Sequence, residues 1–287
     1  MEIRSSETNS VVMTKYAELL GKVFPKSQSL SDVNYLRWLY SENPAGNVKG
    51  CDAWDGDVLA AHYVCIPVTA TLDGQSSKGL LSLNTVTDPK YQGQGLFTKL
   101  AHATYEQAGF DNFDFVYGVA NANSTHGFTK KLGFQLVAPL IARIGYGSPI
   151  ASTNRQVKDT AVAFKRNWDQ DILRWRIRNP CNPCAIRVEP QALLISAATS
   201  YPFIRARASI ADGVSNLNLH TERKNSFALS LYLGLITDGE KLNPFYCPIP
   251  EAFKPSPLNL IFKSLGNASK TISPTNTSIS FLDFDAY

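Results

Sequence analysis

The stretch DPKYQGQGLFTKL, residues 88–100, decides how this sequence folds. A strand-like run ends at a proline, two glycines follow at alternate positions, and the apolar spacing of a helix begins at once. Because Gly93 and Gly95 have no side chains, the backbone can tighten until the N–H groups of residues 93–97 point at one spot. That spot is also the positive end of a helix, so the stretch predicts a binding site for a phosphate or pyrophosphate group.

Two well-known phosphate-binding loops do not fit this stretch. A nucleoside triphosphate loop needs glycine, lysine and a hydroxyl residue in succession, whereas Gly95 is followed by Leu96 and Phe97. A dinucleotide-binding loop needs a third glycine three residues after the second, where this chain has Thr98. Taken alone, the two glycines also leave open a plain turn between a strand and a helix.

The sequence on either side of the loop predicts a mixed α/β fold. Apolar spacing separates helices from strands, and glycine and proline mark the turns between them. The predicted elements are helix 11–21, a helix capped by Ser31 and Asp32 that ends at Asn43, strands 49–54 and 58–71 around a turn at 55–57, strand 79–88, helix 95–108, strand 113–119, helix 124–132 and strand 134–146. This order predicts an α+β fold with a mixed, mostly antiparallel central sheet flanked by helices.

The second half of the sequence contains an echo of the first. The segment YLRWLYSENP, which ends at Pro44, is similar to ILRWRIRNP, which ends at Pro180, so that Trp38 corresponds to Trp175. A shared helix-stop pattern at a spacing of half the chain predicts an internal duplication. Glycine, serine and proline at residues 147–149 predict a linker. We therefore expect a first domain at 1–147 and a second, degenerate domain at 148–287 with strands 185–188, 193–198, 204–208 and 258–262 and a helix 226–236.

The bulk composition describes an ordinary globular protein. Of the 287 residues 44% are hydrophobic and 18% charged, and the net charge of +4 is spread without basic runs, which argues against a nucleic-acid partner. The polar start MEIRSSETNS and the lack of an apolar run of about 18 residues predict a cytoplasmic protein that does not enter a membrane. Five cysteines, an odd number, predict reduced thiols, and Cys181 with Cys184 lacks a second ligand pair, so we expect no metal site.

Two motifs make the sequence resemble the GNAT superfamily of acetyl-CoA-dependent acyltransferases. The family opens its phosphate-binding helix with the pattern [QR]xxGx[GA], and this chain has Gln92, Gly93, Gln94, Gly95, Leu96 and then Phe97, which departs from the last position. A second family motif runs from an asparagine into a short helix that ends LGF, and this chain has Asn121 followed by FTKKLGF at residues 128–134. The resemblance extends from about residue 30 to about residue 146. It implies acetyl-CoA as the cosubstrate.

The same resemblance implies where the donor lies. In the family the strand before the loop pairs with the pantetheine arm, and the next strand splays away to leave a slot. By position these strands are residues 83–86 and 113–119, and a backbone N–H near Thr85 or Val86 would polarise the thioester carbonyl. Asn121 either orients coenzyme A or caps the helix that follows it.

The resemblance leaves the proton-transfer groups open. Many relatives use a glutamate on the strand before the loop, but LSLNTV at residues 81–86 offers no carboxylate. His62 is our candidate for the base, acting through water, and the alternative is an ordinary half-buried histidine. Relatives often carry a tyrosine acid where this chain has Thr129, so Ser124, a water or direct release of the thiolate are the alternatives.

The expected function is transfer of an acetyl group from acetyl-CoA to the amine of a small molecule, an amino sugar by analogy with long GNAT chains. The alternatives are a non-catalytic CoA-binding scaffold, a longer acyl donor or a hydroxyl acceptor. Tyr35, Trp38 and Tyr40 lie where relatives build the acceptor pocket, although Trp38 also suits core packing. In the tail, Asp283 and Asp285 are either a solvated end or a contact for a cationic acceptor. No residue indicates the oligomeric state.

Overall fold

The computed structural model describes residues 1–150, 162–189, 192–211, 229–238, 240–249, 256–266 and 269–285. The chain forms two compact units, each built from discontinuous segments. The first consists of Met1–Thr69, Ser77–Leu136 and Ile261–Thr271, and the second of Ala70–Ser76, Val137–Leu260 and Ile272–Tyr287. A division of the chain into domains 1–147 and 148–287 remains a prediction.

The first half of the chain contains the mixed order of helices and strands that the sequence predicts. Its elements are β1 (Glu2–Ser5), α1 (Ser10–Val23), α2 (Val33–Ser41), β2 (Lys49–Asp55), β3 (Val58–Leu72), β4 (Gln75–Thr87), α3 (Leu96–Phe110), β5 (Phe115–Ala120), α4 (Ala122–His126) and β6 (Gln135–Pro139). Short 3-10 turns span Gln28–Ser31 and Pro89–Tyr91, and α4 runs directly into a π-helical turn at Gly127–Lys131. The side chain of Asp32 caps α2, as predicted.

The second half is dominated by short strands. Its described elements are β7 (Ile141–Gly145), β8 (Phe164–Arg166), α5 (Gln170–Ile177), β9 (Ala185–Glu189), β10 (Ala192–Ala198), β11 (Ile204–Ala211), β12 (Leu229–Gly234), β13 (Cys247–Pro248), β14 (Asn259–Ser264) and β15 (Thr277–Ser278), with 3-10 turns at Pro274–Asn276 and Phe281–Asp283. The four predicted strands of this half are confirmed as β9, β10, β11 and β14, with ends shifted by one to three residues.

Two mixed sheets organise the described strands. The first has the order β1-β2-β3-β4-β5-β14-β6, with β8 paired to the end of β3 and β15 to β8. The second has the order β13-β7-β12-β11-β10-β9. Mixed sheets flanked by helices confirm the predicted fold class, and the presence of two such sheets agrees with a duplication.

The echo between the two halves is visible in local structure. Trp38 of α2 and Trp175 of α5 are both buried. Asn43 and Asn179, which follow these helices, are also buried, and each side-chain Oδ1 accepts a hydrogen bond from the backbone N–H two residues later. The two segments therefore stop their helices by the same Asx turn, which supports a common origin.

The central sheet places different residues on its two faces. Ala61 and Tyr63 of β3 belong to a buried cluster with Leu100 of α3 and Phe128. Because side chains of a strand alternate between faces, His62 points to the other side. There it stacks on the ring of Tyr16 from α1, with 4.0 Å between ring centroids.

Two sequence predictions are wrong. The single strand expected at 134–146 is two strands, β6 and β7, which belong to different sheets. Pro139 at the end of β6 has no N–H to continue a ladder, and Leu140 separates the strands. The helix expected at 226–236 is strand β12 over residues 229–234, because LSLYLG alternates as a strand does; residues 226–228 lie outside the described part of the chain.

Candidate active site

The loop after β4 is fixed at its start by Asp88. Its carboxylate accepts a hydrogen bond from the backbone N–H of Lys90 at 3.0 Å and forms an ion pair with Lys22 of α1 at 2.6 Å. The backbone N–H of Asp88 donates to the carbonyl of Ala60. The ion pair with Lys22, and to a lesser extent the hydrogen bond from the Lys90 N–H, lower the pKa of the Asp88 carboxyl. The loop therefore leaves the sheet from a rigid corner.

The two glycines of the loop adopt a conformation that suits the tightened backbone expected from the sequence. Gly93 has φ 80° and Gly95 has φ 71°, both in the left-handed region that side chains disfavour. A Cβ at either position would meet no atom within 4 Å, so packing does not explain the glycines. No side chain caps the fifteen-residue helix α3 at Gly95, and residues 92–95 are exposed. The backbone N–H groups in the first turn of α3, at the positive end of the helix dipole, thus face open space. Such a helix end suits an anion.

The two residues after Gly95 anchor the helix. Leu96 is buried in the core cluster. The ring of Phe97 packs edge-on against Phe128, with centroids 5.2 Å apart. A Cβ at Gly127 would lie 3.0 Å from that ring, so a glycine in the facing helix makes room for Phe97. Phe97, the residue that departs from the GNAT pattern, therefore packs against the core, and its ring does not occupy the space around the loop.

The pairing between β4 and β5 ends where the resemblance implies a slot. The strands pair in parallel only from Gly79 with Phe115 to Ser82 with Gly118. Beyond these pairs β4 continues to Thr87 and β5 to Ala120 without further pairing. Thr85 lies half-buried in the part of β4 beyond its pairing with β5, and Val86 is buried. The end of this pairing agrees with the divergence that the resemblance implies for a donor arm, and the donor site itself remains a prediction.

A buried chain of hydrogen bonds ends beside this slot. Nδ1 of His62 lies 2.6 Å from Oδ1 of Asp52, and Nε2 lies 3.1 Å from the hydroxyl of Tyr40. That hydroxyl in turn accepts a bond of 2.9 Å from the side-chain Nδ2 of Asn84 in β4. The hydroxyl of Tyr16 donates to Oδ2 of Asp52 at 2.5 Å. His62 has no exposed surface, so the predicted half-buried base is fully buried and reaches the slot only through Tyr40 and Asn84.

The predicted residues of the second motif lie at the start of α4. Oδ1 of Asn121 accepts from the N–H groups of Asn123 and Ser124, both at 3.0 Å, so Asn121 caps the helix. The Ser124 hydroxyl bonds to the carbonyl and Oδ1 of Asn121. The Thr129 hydroxyl donates to the carbonyl of Thr125 at 2.9 Å. Both hydroxyls are therefore held by their own helix.

Other candidates fall outside the slot. Trp38 is buried core. Asp283 is buried rather than a solvated end, since its carboxylate accepts from Trp168 Nε1 and from the backbone and hydroxyl of Ser280, and burial raises its pKa. Asp285 lies 3.5 Å from Arg176. These contacts give the aspartates a structural role in the second unit.

The chain matches the family model of the acetyltransferase (GNAT) domain over residues 3–137. Residues 3–137 are therefore a GNAT acetyltransferase domain. Acetyl-CoA is the cosubstrate of this superfamily, and the family supports acyltransferase activity for the chain. The loop at residues 92–97 fits this cosubstrate. Its two glycines are left-handed with open space around them, and the helix that follows has no side-chain cap. The loop follows the part of β4 that no longer pairs with β5.

Solved structures share the fold across both halves of the chain. A probable N-acyltransferase from Enterococcus faecalis has 7% identity and a TM-score of 0.56, and a GCN5-related N-acetyltransferase from Anabaena variabilis has 10% identity and a TM-score of 0.58. In both cases 92% of this chain covers 73% of the other. Eis1 from Mycobacterium abscessus has 9% identity and a TM-score of 0.53, with 80% of this chain and 65% of Eis1 covered. No curated protein sequence matches the chain.

The sequence does not single out Tyr16, Asp52 or Asn84 of the buried chain, and it indicates Tyr40 only for an acceptor pocket. A partial signal was present, since Asp52 and His62 lie on the two strands of the predicted hairpin and face each other across it.

No helix among the described residues is long and apolar enough to span a bilayer.

Proposed function

We propose that this protein transfers an acetyl group from acetyl-CoA to the primary amine of a small molecule, with amino sugars as the leading acceptor class. The observation that carries the proposal is the loop at residues 92–97, whose left-handed glycines and uncapped helix end lie directly after a strand that diverges from its neighbour. An amine acceptor agrees with the described activities of the relatives from Enterococcus and Anabaena.

The proposal assigns each part of the cosubstrate to a part of the chain. The pyrophosphate binds the backbone N–H groups of residues 93–97, beside the side chains of Gln92 and Gln94. The pantetheine arm follows β4, where a backbone N–H at Thr85 or Val86 polarises the thioester carbonyl. Asn121 caps α4 and in doing so shapes the neighbouring wall of the slot.

The reaction needs little covalent help from the protein. The neutral amine nitrogen attacks the acetyl carbonyl carbon, a C–N bond forms, the C–S bond breaks, and the electron pair leaves on sulfur. A thiol has a pKa of about 8.5, so the thiolate leaves readily without an acid. Direct release is the simplest route, because the hydroxyls of Ser124 and Thr129 are engaged within their helix. Either hydroxyl remains the alternative donor.

The amine must lose a proton before or during attack. His62 cannot take it directly, because it is buried and its ring nitrogens face Asp52 and Tyr40. We propose that the proton leaves through water in the slot and that the chain from His62 to Asn84 shapes the acceptor side of that slot. Positioning of the two reactants then supplies most of the rate enhancement.

Release of coenzyme A tests the proposal. Purified protein is incubated with acetyl-CoA and each of a panel of primary amines: glucosamine, kanamycin A, cadaverine and tyramine. Free coenzyme A and the acetylated product are quantified by chromatography, because Cys181 and Cys247 are exposed thiols that would react with a thiol dye. Glucose and longer acyl-CoA donors serve as matched controls for the acceptor and the donor.

The outcomes separate the competing functions. Acetylated amine in the presence of acetyl-CoA supports the proposal. Faster turnover with a longer acyl-CoA, or with a hydroxyl acceptor, would replace the donor or the acceptor class. Coenzyme A binding without turnover on any acceptor would contradict an enzyme and favour a scaffold.

A further inference from the structure

Asn84 has a backbone conformation that few residues adopt within a strand. Its φ is 46°, in the left-handed region, where asparagine is tolerated better than most residues. It lies two residues beyond Ser82, the last residue of β4 that pairs with β5. The residue is half-exposed. Such outliers persist where surrounding bonds hold them, and they are common at functional sites.

The buried hydrogen bonds from Asp52 through His62 to Tyr40 determine which atom of the Asn84 side chain faces Tyr40. The carboxylate of Asp52 can only accept, and it takes donors from Ser6, Tyr16 and Nδ1 of His62. In the tautomer of His62 that donates from Nδ1 to Asp52, Nε2 accepts from the hydroxyl of Tyr40. The Tyr16 hydroxyl stays protonated as a donor, because burial and the charge of Asp52 raise its pKa.

This direction fixes the side-chain amide of Asn84. In this tautomer the Tyr40 hydroxyl donates to His62, so its oxygen accepts from the Nδ2 of Asn84. A flipped amide would place two acceptors face to face, and the buried chain therefore excludes it. Oδ1 of Asn84 is left without a donor among the described residues, on a half-exposed side chain in the splayed part of β4.

We propose that Asn84 recognises the acceptor, with its side-chain Oδ1 accepting a hydrogen bond from the amine that is acetylated. This inference rests on the proposed function. The buried residues Tyr40, His62 and Asp52 act as positioning residues, since they hold the amide of Asn84 with its oxygen toward the acceptor.

A neutral amide suits this role better than a carboxylate. An adjacent carboxylate would stabilise the ammonium form and raise the pKa of the amine, which opposes attack. An amide oxygen binds an N–H of the neutral amine and leaves the nitrogen lone pair free for the thioester carbonyl. Recognition of the neutral amine by an amide then explains why β4 carries no carboxylate at this point.

The test compares three variants of the full-length protein with a matched control. Asn84→Gly removes the amide and keeps the left-handed backbone, which glycine adopts without strain. Tyr40→Phe keeps the ring and removes the hydroxyl that orients the amide. Asn84→Asp places a carboxylate at the same point. Asn112→Gly is the control, because Asn112 is exposed, has φ 59° and follows α3 away from the slot.

The probe is the amine of the panel that wild-type protein acetylates fastest. We expect Asn84→Gly to raise the KM for this amine by up to about tenfold, the effect of losing one hydrogen bond between neutral groups. Tyr40→Phe should raise it severalfold, and both variants should keep the wild-type affinity for acetyl-CoA. The control should change neither constant.

The pH profile separates recognition from a purely structural role. In wild-type protein kcat rises with pH as the bound ammonium deprotonates, and Asn84→Asp should move this rise in kcat to higher pH. An unchanged KM in Asn84→Gly, or an unmoved profile in Asn84→Asp, would overturn the inference while the proposed function stands. Failure of wild-type protein to acetylate any amine would overturn the proposed function, and the inference with it.

Discussion

The ring of Phe115 in β5 lies directly across Gly79 in β4, where a Cβ at residue 79 would come 2.1 Å from two ring carbons. The two residues are direct partners in the parallel pairing of these strands. Phe115 also stacks on Phe262 of β14, with 5.7 Å between ring centroids. The close approach of β4 and β5 at the start of their pairing therefore depends on a glycine that no loop geometry requires.

We expect Gly79→Ala to destabilise the protein by about 3 kcal/mol, because the fully buried ring of Phe115 has no room to move. Gly109→Ala is the matched control. Gly109 lies within α3, and a Cβ there would meet no atom within 4 Å. It should stabilise the protein by up to about 1 kcal/mol through helix propensity. Urea unfolding of both variants measures the difference, and equal stabilities would contradict the packing described here.

The cysteines should differ sharply in reactivity. Burial raises the pKa of Cys65 to about 12 and also raises the pKa of Cys51. Cys181 and Cys247 are exposed. Because the thiolate is the reactive form, we expect iodoacetamide to alkylate the two exposed cysteines in native protein and the two buried ones only after denaturation. Peptide mass spectrometry reads each site, and alkylation of Cys65 at the rate of Cys181 would contradict its burial.

The ion pair between Asp88 and Lys22 should make the stability of the protein depend on pH in the acidic range. The pKa of Asp88 is lowered in the folded state, so its stabilising contribution is complete above the unfolded carboxyl pKa of about 3.9. It is lost as the pH falls through the folded value. We expect Asp88→Asn to lower the Tm above about pH 5 and to approach wild type below about pH 3.

The size of this effect should be modest, because half of the Lys22 side chain is exposed and solvent screens the pair. Added salt should reduce the difference at neutral pH. Thermal melts of both proteins between pH 7 and pH 2.5 give the comparison. A difference that grows as the pH falls would have the wrong sign for a lowered pKa.

The loop was predictable because its chemistry is local. Proline, two glycines and the start of an apolar helix stand within thirteen consecutive residues, and each restricts the backbone by itself. The left-handed φ values of Gly93 and Gly95 agree with a tightened backbone in this loop, and the phosphate site itself remains a prediction. The hairpin of β2 and β3 was predictable for the same reason, from a turn with Gly56 at its centre.

The buried chain was not predictable because it depends on register. Counted evenly from the turn, Asp52 would face Ala61. An irregularity between Ala53 and Trp54 shifts the pairing, and Asp52 faces His62 instead. No local pattern in the sequence marks that bulge. The placement of β14 beside β5 in the first sheet is likewise a long-range pairing without a local signal.

Calorimetric titration of acetyl-CoA tests the central claim, which is that the backbone at residues 93–97 binds the pyrophosphate. Wild-type protein is compared with Gly95→Glu, which strains the loop and places a carboxylate at the anion site. Gly56→Glu is the control, since Gly56 also has a left-handed φ, 59°, and open space around it but lies in a distant turn. We predict binding to wild type and to Gly56→Glu, and none to Gly95→Glu; equal affinity in all three would contradict the account.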